Sequence, residues 1–341
     1  MISIQKIQAM ADLTTKYLGL TLRNPIIIAS SGLTDSFVKI AELERNGAGA
    51  VVLKSLFEEQ IILEAEHNLK EAGKNRLIYA EFSETLDYID VHIREKELGK
   101  YLDIIKKVKK DLTIPLIASV NCVSDIGWTG FARQIEKAGA DALELNIFIM
   151  PFGFENNCDE IEQKYYKILR KVKQEINIPV AVKISPYFAN LGKVILNLES
   201  EGANGVVLFN RFTSPDIDIE NINVTVSEVF SSPSEMTNSL RWVAILANRI
   251  KIDIAATTGI HDGKAVIKQI LAGAGVVQIA SSLYINGISH ITEMLKYIES
   301  WMDKKGYNYI DQFKGKLSQE KHSHPDVYER LQFMRYFSKL K

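Results

Sequence analysis

The segment Asn46-Gly47-Ala48-Gly49-Ala50-Val51-Val52 ends one helical pattern and begins a buried strand. Its glycine can adopt the left-handed backbone conformation that closes a helix. The apolar run that follows is typical of a strand buried in a parallel sheet. A similar pattern, Gly-Ala followed by an apolar run, occurs three more times, as Ala138-Gly139-Ala140-Asp141-Ala142-Leu143, Glu201-Gly202-Ala203-Asn204-Gly205-Val206-Val207 and Ala272-Gly273-Ala274-Gly275-Val276-Val277. This repetition predicts a chain built from copies of one helix–strand unit.

Four other apolar runs alternate with these repeats. They are Asn24-Pro25-Ile26-Ile27-Ile28, Ile114-Pro115-Leu116-Ile117, Ile178-Pro179-Val180-Ala181-Val182 and Ile252-Asp253-Ile254-Ala255. Proline is tolerated at the start of a strand, where its missing N–H disturbs little pairing. The alternation predicts strands near residues 26–30, 51–55, 116–121, 142–146, 180–185, 206–210, 253–258 and 276–281.

Amphipathic helical patterns, such as the one over 37–44, separate these eight strands. Eight such units predict an α/β protein with a (β/α)8 TIM barrel, whereas a doubly wound open sheet would not close at eight matched units. The longest connections, 56–113, 147–178 and 211–251, form insertions after strands 2, 4 and 6. We expect one domain over 1–341, with 56–113 as a protrusion or a solvated excursion and 305–341 as a C-terminal helical tail.

The composition excludes several classes of protein. Lysine and arginine number 41 against 42 aspartates and glutamates, so no basic excess supports nucleic-acid binding. No apolar run approaches the roughly 18 residues that span a bilayer, and no signal-peptide pattern opens the chain. The two cysteines, Cys122 and Cys158, form neither a disulfide framework nor a metal-ligand spacing. We therefore expect a cytoplasmic enzyme or small-molecule binder without a metal.

Polar side chains follow the predicted strands at their carboxyl ends, the face of a barrel that carries chemistry. Burying unpaired donors and charges is costly, so this convergence indicates a ligand site. The group consists of Lys54, Asn121, Asn146, Lys183 and Asn210.

The ends of strands 7 and 8 are small and polar, with Thr258-Gly259 and Ala280-Ser281. Loops at these positions form the usual phosphate site of the barrel. FMN fits such a site, because a lysine can stabilise the negative charge of a reduced flavin ring and amides can pair with its pyrimidine edge. The competing interpretation is a Schiff-base lyase, in which Lys183 attacks the carbonyl of a phosphorylated substrate.

With these residues in place, the chain resembles the dihydroorotate dehydrogenase family from about residue 18 to 317. The resemblance rests on Leu22-Arg23-Asn24-Pro25-Ile26-Ile27-Ile28-Ala29-Ser30, Lys54-Ser55, Glu144-Leu145-Asn146-Ile147, Val182-Lys183-Ile184-Ser185-Pro186-Tyr187-Phe188, Ile270-Leu271-Ala272-Gly273-Ala274, Val277-Gln278-Ile279, Lys305-Gly306-Tyr307 and Phe313-Lys314-Gly315-Lys316-Leu317. The class 1 branch is the nearer match, since no membrane-associating extension precedes the barrel. The resemblance implies an FMN-dependent oxidoreductase of pyrimidine biosynthesis, a homodimer, that passes hydride between a CH–CH substrate and the flavin. An iron–sulfur acceptor would require a separate protein, because the chain has no cysteine cluster for one.

The resemblance also implies roles for individual residues. Those that would bind FMN are Ala29, Ser30, Gly32, Lys54, Ser55, Asn121, Asn146, Lys183, Asn210, Thr258, Gly259, Ala280 and Ser281. Lys54, Asn146 and Asn210 would also contact the substrate, and Lys183 would stabilise reduced-flavin charge. Thr258 stands where the family pattern has a glycine.

The substrate side departs further from the family. The family follows its strand 4 asparagine with a Cys or Ser base and a second asparagine, but here the segment is Asn146-Ile147-Phe148-Ile149-Met150-Pro151-Phe152. None of its apolar side chains can accept a proton. Cys158 is one alternative proton donor, and His92 lies in another rewritten region. A flavin-binding protein that has lost catalysis is therefore a third interpretation.

Overall fold

The computed structural model describes residues 11–61, 83–122, 125–151 and 157–329, with only the backbone for 83–95, 125–126 and 158. An antiparallel hairpin of β1 (Thr15–Tyr17) and β2 (Leu20–Leu22) comes first. Eight parallel strands then close into a barrel, because the first pairs with both the second and the last. These are β3 (Ile26–Ile28), β4 (Ala50–Val52), β6 (Leu116–Asn121), β7 (Ala142–Asn146), β8 (Val180–Ile184), β9 (Gly205–Leu208), β12 (Asp253–Thr257) and β13 (Val276–Ile279). The predicted TIM barrel is confirmed.

Helices surround this barrel and connect its strands. Their bounds are α1 (Phe37–Arg45), α2 (Ser83–Asp111), α3 (Asp125–Ala138), α4 (Cys158–Glu175), α5 (Leu191–Ser200), α6 (Met236–Leu246), α7 (Gly263–Ala272), α8 (Ser281–Asn286), α9 (His290–Lys305) and α10 (Asp326–Glu329). None of the helices in the described ranges combines the length and the apolar character that crossing a membrane requires.

The repeated glycines end helices as the sequence predicts. Gly47, Gly139, Gly202 and Gly273 all have positive φ, at 99°, 98°, 94° and 129°. A residue with a Cβ is strained in this region, whereas glycine is not. Each of these glycines turns the chain back toward the barrel, where the next strand begins within a few residues.

The lower end of the barrel is filled with apolar side chains and closed by the first hairpin. Tyr17, Leu18 and Leu22 form one buried cluster with inward-facing residues of the strands, among them Ile27 and Val207. The Leu18 N–H also donates to Asp253 Oδ2 at 2.7 Å, at the first residue of β12. Among the described residues the amino ends of the strands are therefore sealed, and the barrel opens at their carboxyl ends.

The insertions at the carboxyl end contain short strands that periodicity did not predict. β5 (Leu56–Phe57) follows β4 and pairs with β6, while β10 (Pro215–Asp218) and β11 (Asn223–Val226) form an antiparallel hairpin after β9. Residues 62–82 of the predicted protrusion and 330–341 of the predicted tail lie outside the described residues.

Candidate active site at the carboxyl ends of the barrel strands

A cavity of about 310 Å³ opens at the carboxyl ends of the barrel strands. It contains all but two of the residues that the sequence singled out, namely Ala29, Ser30, Lys54, Ser55, Asn146, Lys183, Asn210, Thr258, Gly259, Ala280 and Ser281. The titratable side chains in its lining are Lys54, Lys183 and Arg211. A lining whose charges are all positive favours an anionic ligand.

Three buried polar side chains form the floor of this central cavity. Lys183 Nζ lies 3.3 Å from Gln278 Oε1 and 3.6 Å from Glu144 Oε1. Gln278 Nε2 in turn donates to Glu144 Oε2 at 2.6 Å. Glu144 and Gln278 are each 1% exposed and Lys183 is 8% exposed, so the cation is anchored from below and its accessible side faces the cavity.

A chain of hydroxyl groups fixes the wall next to Asn146. Ser55 Oγ lies 3.0 Å from Ser30 Oγ and 2.7 Å from Ser119 Oγ, and it accepts a 3.4 Å hydrogen bond from Asn146 Nδ2. Asn146 Oδ1 is buried and has no hydrogen-bond partner among the described residues. A buried acceptor without a partner is costly, and a donor on a bound ligand would remove that cost.

The opposite end of the cavity is built from backbone in the left-handed region. Thr258 has φ +72° and Gly259 has φ +74°. A β-branched residue is rare in this conformation, so the turn is held by its surroundings. A Cβ at Gly259 would collide with the backbone nitrogen of Met236 and would lie 2.9 Å from the Ser232 carbonyl oxygen. The backbone here thus forms a tight left-handed turn although threonine stands where the family pattern has a glycine.

The insertion after β9 adds residues to this end that the sequence did not single out. Ser231 Oγ accepts the Gly259 N–H at 3.3 Å and lies 3.1 Å from His261 Nε2, while the Ser231 N–H donates to Ser281 Oγ at 3.0 Å. Burial lowers the pKa of His261. Arg211 holds the insertion in place by donating to the carbonyls of Glu228, Val229 and Phe230 and to the Glu235 carboxylate.

Two predicted site residues do not line the central cavity. Gly32 packs against Tyr284, whose hydroxyl would lie 2.8 Å from a Cβ at that position. Asn121 lines a second cavity, which shares Phe57 with the first. Gln278 and Glu144 were missed as site residues, although a polar residue inside an otherwise apolar strand pattern was a usable signal for Gln278.

Aromatic side chains from three loops meet beside the central cavity. Phe148 stacks on Phe212 with ring centroids 4.1 Å apart, and Tyr187 contacts Phe212 edge-on at 5.3 Å. Phe148 remains 50% exposed and Tyr187 49%. Within the described residues no group of histidines, cysteines or carboxylates could hold a metal ion. The side chains of Cys158, the alternative proton donor, and of His92 lie outside the described residues.

Comparison with known proteins agrees with this geometry. The family model for dihydroorotate dehydrogenase matches residues 82–302. A protein of Thermoplasma volcanium described as the catalytic subunit of dihydroorotate dehydrogenase B (NAD(+)) is 28% identical, with 90% of this chain and 98% of the relative covered. Proteins with the same description from Pyrococcus abyssi and Methanothermobacter thermautotrophicus are 27% and 23% identical, covering 87% and 89% of this chain and 96% and 97% of the relatives. The chain belongs to the dihydroorotate dehydrogenase family of oxidoreductases.

Proposed function

We propose that this chain binds FMN in the central cavity and transfers hydride between the CH–CH bond of a substrate, dihydroorotate or a related compound, and the flavin. The observation that carries the proposal is the anchored Lys183 ammonium at the floor of a cavity whose far end is a tight backbone turn. The family membership and the relatives described as catalytic subunits agree with it.

The residues present fit a flavin mononucleotide. Asn146 Oδ1 is a buried acceptor that needs a donor, and a ring N–H supplies one. Thr258, Gly259, Ala280 and Ser281 offer a small-residue rim for the phosphate. FMN would supply the acceptor for a hydride, and Lys183 would offset the negative charge that the ring then carries. Ala29, Ser30 and Ser55 would lie against the ring.

Lys54, Asn146 and Asn210 would orient the substrate on the open side of the cavity, where Lys54 is exposed. Oxidation of a CH–CH bond to a C=C bond removes one hydride and one proton, so a base is required to take the proton. In the described part of the cavity lining we find no carboxylate, histidine or cysteine for this role. Such a group would come from outside that lining, and Cys158, twelve residues after Asn146, is one candidate.

Two further features of the proposal follow from the family. The relatives are described as catalytic subunits, so we infer that reduced flavin passes its electrons to a separate acceptor protein. A homodimer, a role in pyrimidine biosynthesis and a cytoplasmic location complete the proposal.

The visible spectrum of the purified protein, followed by anaerobic addition of dihydroorotate, tests this function. A flavin spectrum that bleaches on addition establishes both cofactor and substrate. A colourless protein that does not bind added FMN refutes the proposal.

A flavin-binding protein without catalysis is the second candidate, favoured by the apolar Phe148, Ile149 and Met150 where the family carries its base. It predicts bound flavin that dihydroorotate and other small reductants leave oxidised. The Schiff-base lyase lacks support, because the family model and the relatives are those of a dehydrogenase. Borohydride reduction with a keto-sugar phosphate should leave Lys183 unmodified.

A further inference from the structure

A second cavity, of about 610 Å³, adjoins the central one and takes no part in the function proposed so far. Phe57 lines both cavities, and Ile147, Phe148 and Ile149 of the second directly follow Asn146 of the first, at the end of β7. A molecule in this space would therefore extend to the edge of the site proposed for the flavin.

One wall of the second cavity is apolar and aromatic. Trp128 is 3% exposed and Ile147 is 1% exposed, so this wall belongs to the rigid core rather than to a loose surface. Phe148 stacks one face of its ring on Phe212 and is still half-exposed. Among the described residues the apolar lining is Phe57, Cys122, Trp128, Ile147, Phe148, Ile149 and Ile168. Flat rings gain the most from such a wall, since aromatic pairs add stacking to the burial of apolar area.

The other wall is cationic. Lys164 and Lys167 lie one helical turn apart on α4 and both line the cavity, against a single carboxylate, Glu59. Lys164 makes no ion pair or hydrogen bond with any residue of the described ranges. Asn121 adds an amide at the end of β6. The two walls together offer an apolar slot with the Lys164 ammonium at its rim.

Two of the residues that line this slot lie in the segment that departs from the family pattern. Phe148 and Ile149 occupy the segment where the family has its base and its substrate-binding asparagine, and both line the second cavity. The same substitutions that remove polar contacts to a small pyrimidine thus create an apolar space beside the flavin site.

We propose that the second cavity binds the body of the substrate, and that this substrate is an amphipathic carboxylate with a flat apolar body and its anionic group at Lys164. This inference rests on the proposed function, because it places the reacting bond of the substrate at the flavin. Phe148 and Lys164 are then the residues that determine specificity, Phe148 by stacking on the body and Lys164 by pairing with the carboxylate.

Binding of trans-cinnamate, followed by tryptophan fluorescence, tests the inference without depending on flavin. Trp128 lies in the cavity wall, so a ligand there should quench fluorescence saturably, and Trp128→Phe should remove most of the quench. Lys164→Glu should weaken cinnamate binding about tenfold, the usual effect of losing one hydrogen bond to a charged group. The same variant should leave binding of neutral cinnamamide unchanged, and Lys164→Arg should restore cinnamate affinity.

Phe148→Ala should weaken cinnamate and cinnamamide alike, about tenfold each, because it removes the stacking surface for both. Lys193→Ala is the matched control: it removes an exposed lysine from α5, outside the cavity, and should change neither affinity. Cinnamate should also shift the visible absorbance of bound flavin, since the two ligands would touch.

The inference is wrong if cinnamate does not quench the fluorescence saturably. It is also wrong if the wild type, Lys164→Glu and Phe148→Ala bind cinnamate with equal affinity. Quenching with the expected variant pattern but no change in the flavin absorbance would also overturn it, because the ligand would then lie away from the reacting centre. The proposed function is tested separately, by the visible absorbance of the protein before cinnamate is added. A protein without flavin absorbance would contradict the proposed function, whereas the fluorescence titration tests the second cavity.

Discussion

Gly259→Ala is the substitution whose cost the structure defines most closely. Gly259 has φ +74°, and the added Cβ would collide with the backbone nitrogen of Met236 and lie 2.9 Å from its Cα. The left-handed conformation alone costs an alanine about 1–2 kcal/mol. The collision is with backbone at the start of α6 rather than with a movable side chain, so relief requires a shift of that helix, at about 1–3 kcal/mol more.

These terms give a destabilisation of about 2–5 kcal/mol. Unfolding entropy scales with chain length at about 2.1 cal/mol/K per residue, so 1 kcal/mol corresponds to roughly 1.4 °C for a chain of this length. The expected decrease of Tm, measured by differential scanning calorimetry or circular dichroism, is therefore about 3–7 °C. FMN retention should fall as well, because the displaced turn lines the phosphate end of the cavity.

Gly306→Ala separates the two contributions. Gly306 has nearly the same φ, +72°, but nothing lies within 4 Å of its ideal Cβ. Gly306→Ala should therefore lower the free energy of unfolding by the left-handed backbone strain alone, about 1–2 kcal/mol, and the variant should retain FMN. If Gly259→Ala lowers Tm no more than Gly306→Ala, the collision with α6 is not real and the argument for a rigid phosphate turn is refuted.

Three further predictions address the cavity and the core. Lys183→Ala should slow reduction of bound flavin by at least tenfold while weakening FMN binding far less, as measured by stopped-flow absorbance and by equilibrium dialysis; unchanged reduction rates would remove Lys183 from its role. Thr258→Gly should raise the free energy of unfolding by up to about 1 kcal/mol in urea titrations, because relief of the left-handed strain at φ +72° exceeds the entropic cost of glycine; a loss of stability would contradict the strained turn. Burial raises the pKa of the Cys122 thiol and raises that of Tyr165 to about 12. Groups whose pKa is higher in the folded state stabilise it fully below their unfolded pKa values, about 8.5 for cysteine and 10 for tyrosine, and lose that contribution as pH rises. Tm should therefore fall above about pH 8.5, and Cys122→Ala should make this decline less steep between about pH 8.5 and 10. Identical Tm profiles for the wild type and Cys122→Ala would show that folding does not raise the pKa of this thiol.

The sequence by itself determined the barrel, because the signals for it are local. A glycine such as Gly139 ends a helix because it can adopt a positive φ. The apolar run directly after it favours a buried strand, so both signals lie within a few residues. Strict alternation of two kinds of strand then fixed their number and parallel direction. It also placed Lys54, Asn146, Lys183 and Asn210 at strand ends, and parallel strands bring their carboxyl ends to one rim.

The tertiary structure decided which of these side chains share a cavity and what supports them. Glu144 and Gln278 are 134 positions apart and meet only because the barrel closes, so no local pattern reveals their bond. Ser231 reaches the phosphate end through an insertion that Arg211 folds back onto the rim. Asn121 lines the second cavity because β5, a short strand in the insertion after β4, pairs Phe57 with Asn121 at the end of β6. Local preferences act over a few residues, whereas the positions of these side chains depend on contacts between distant parts of the chain.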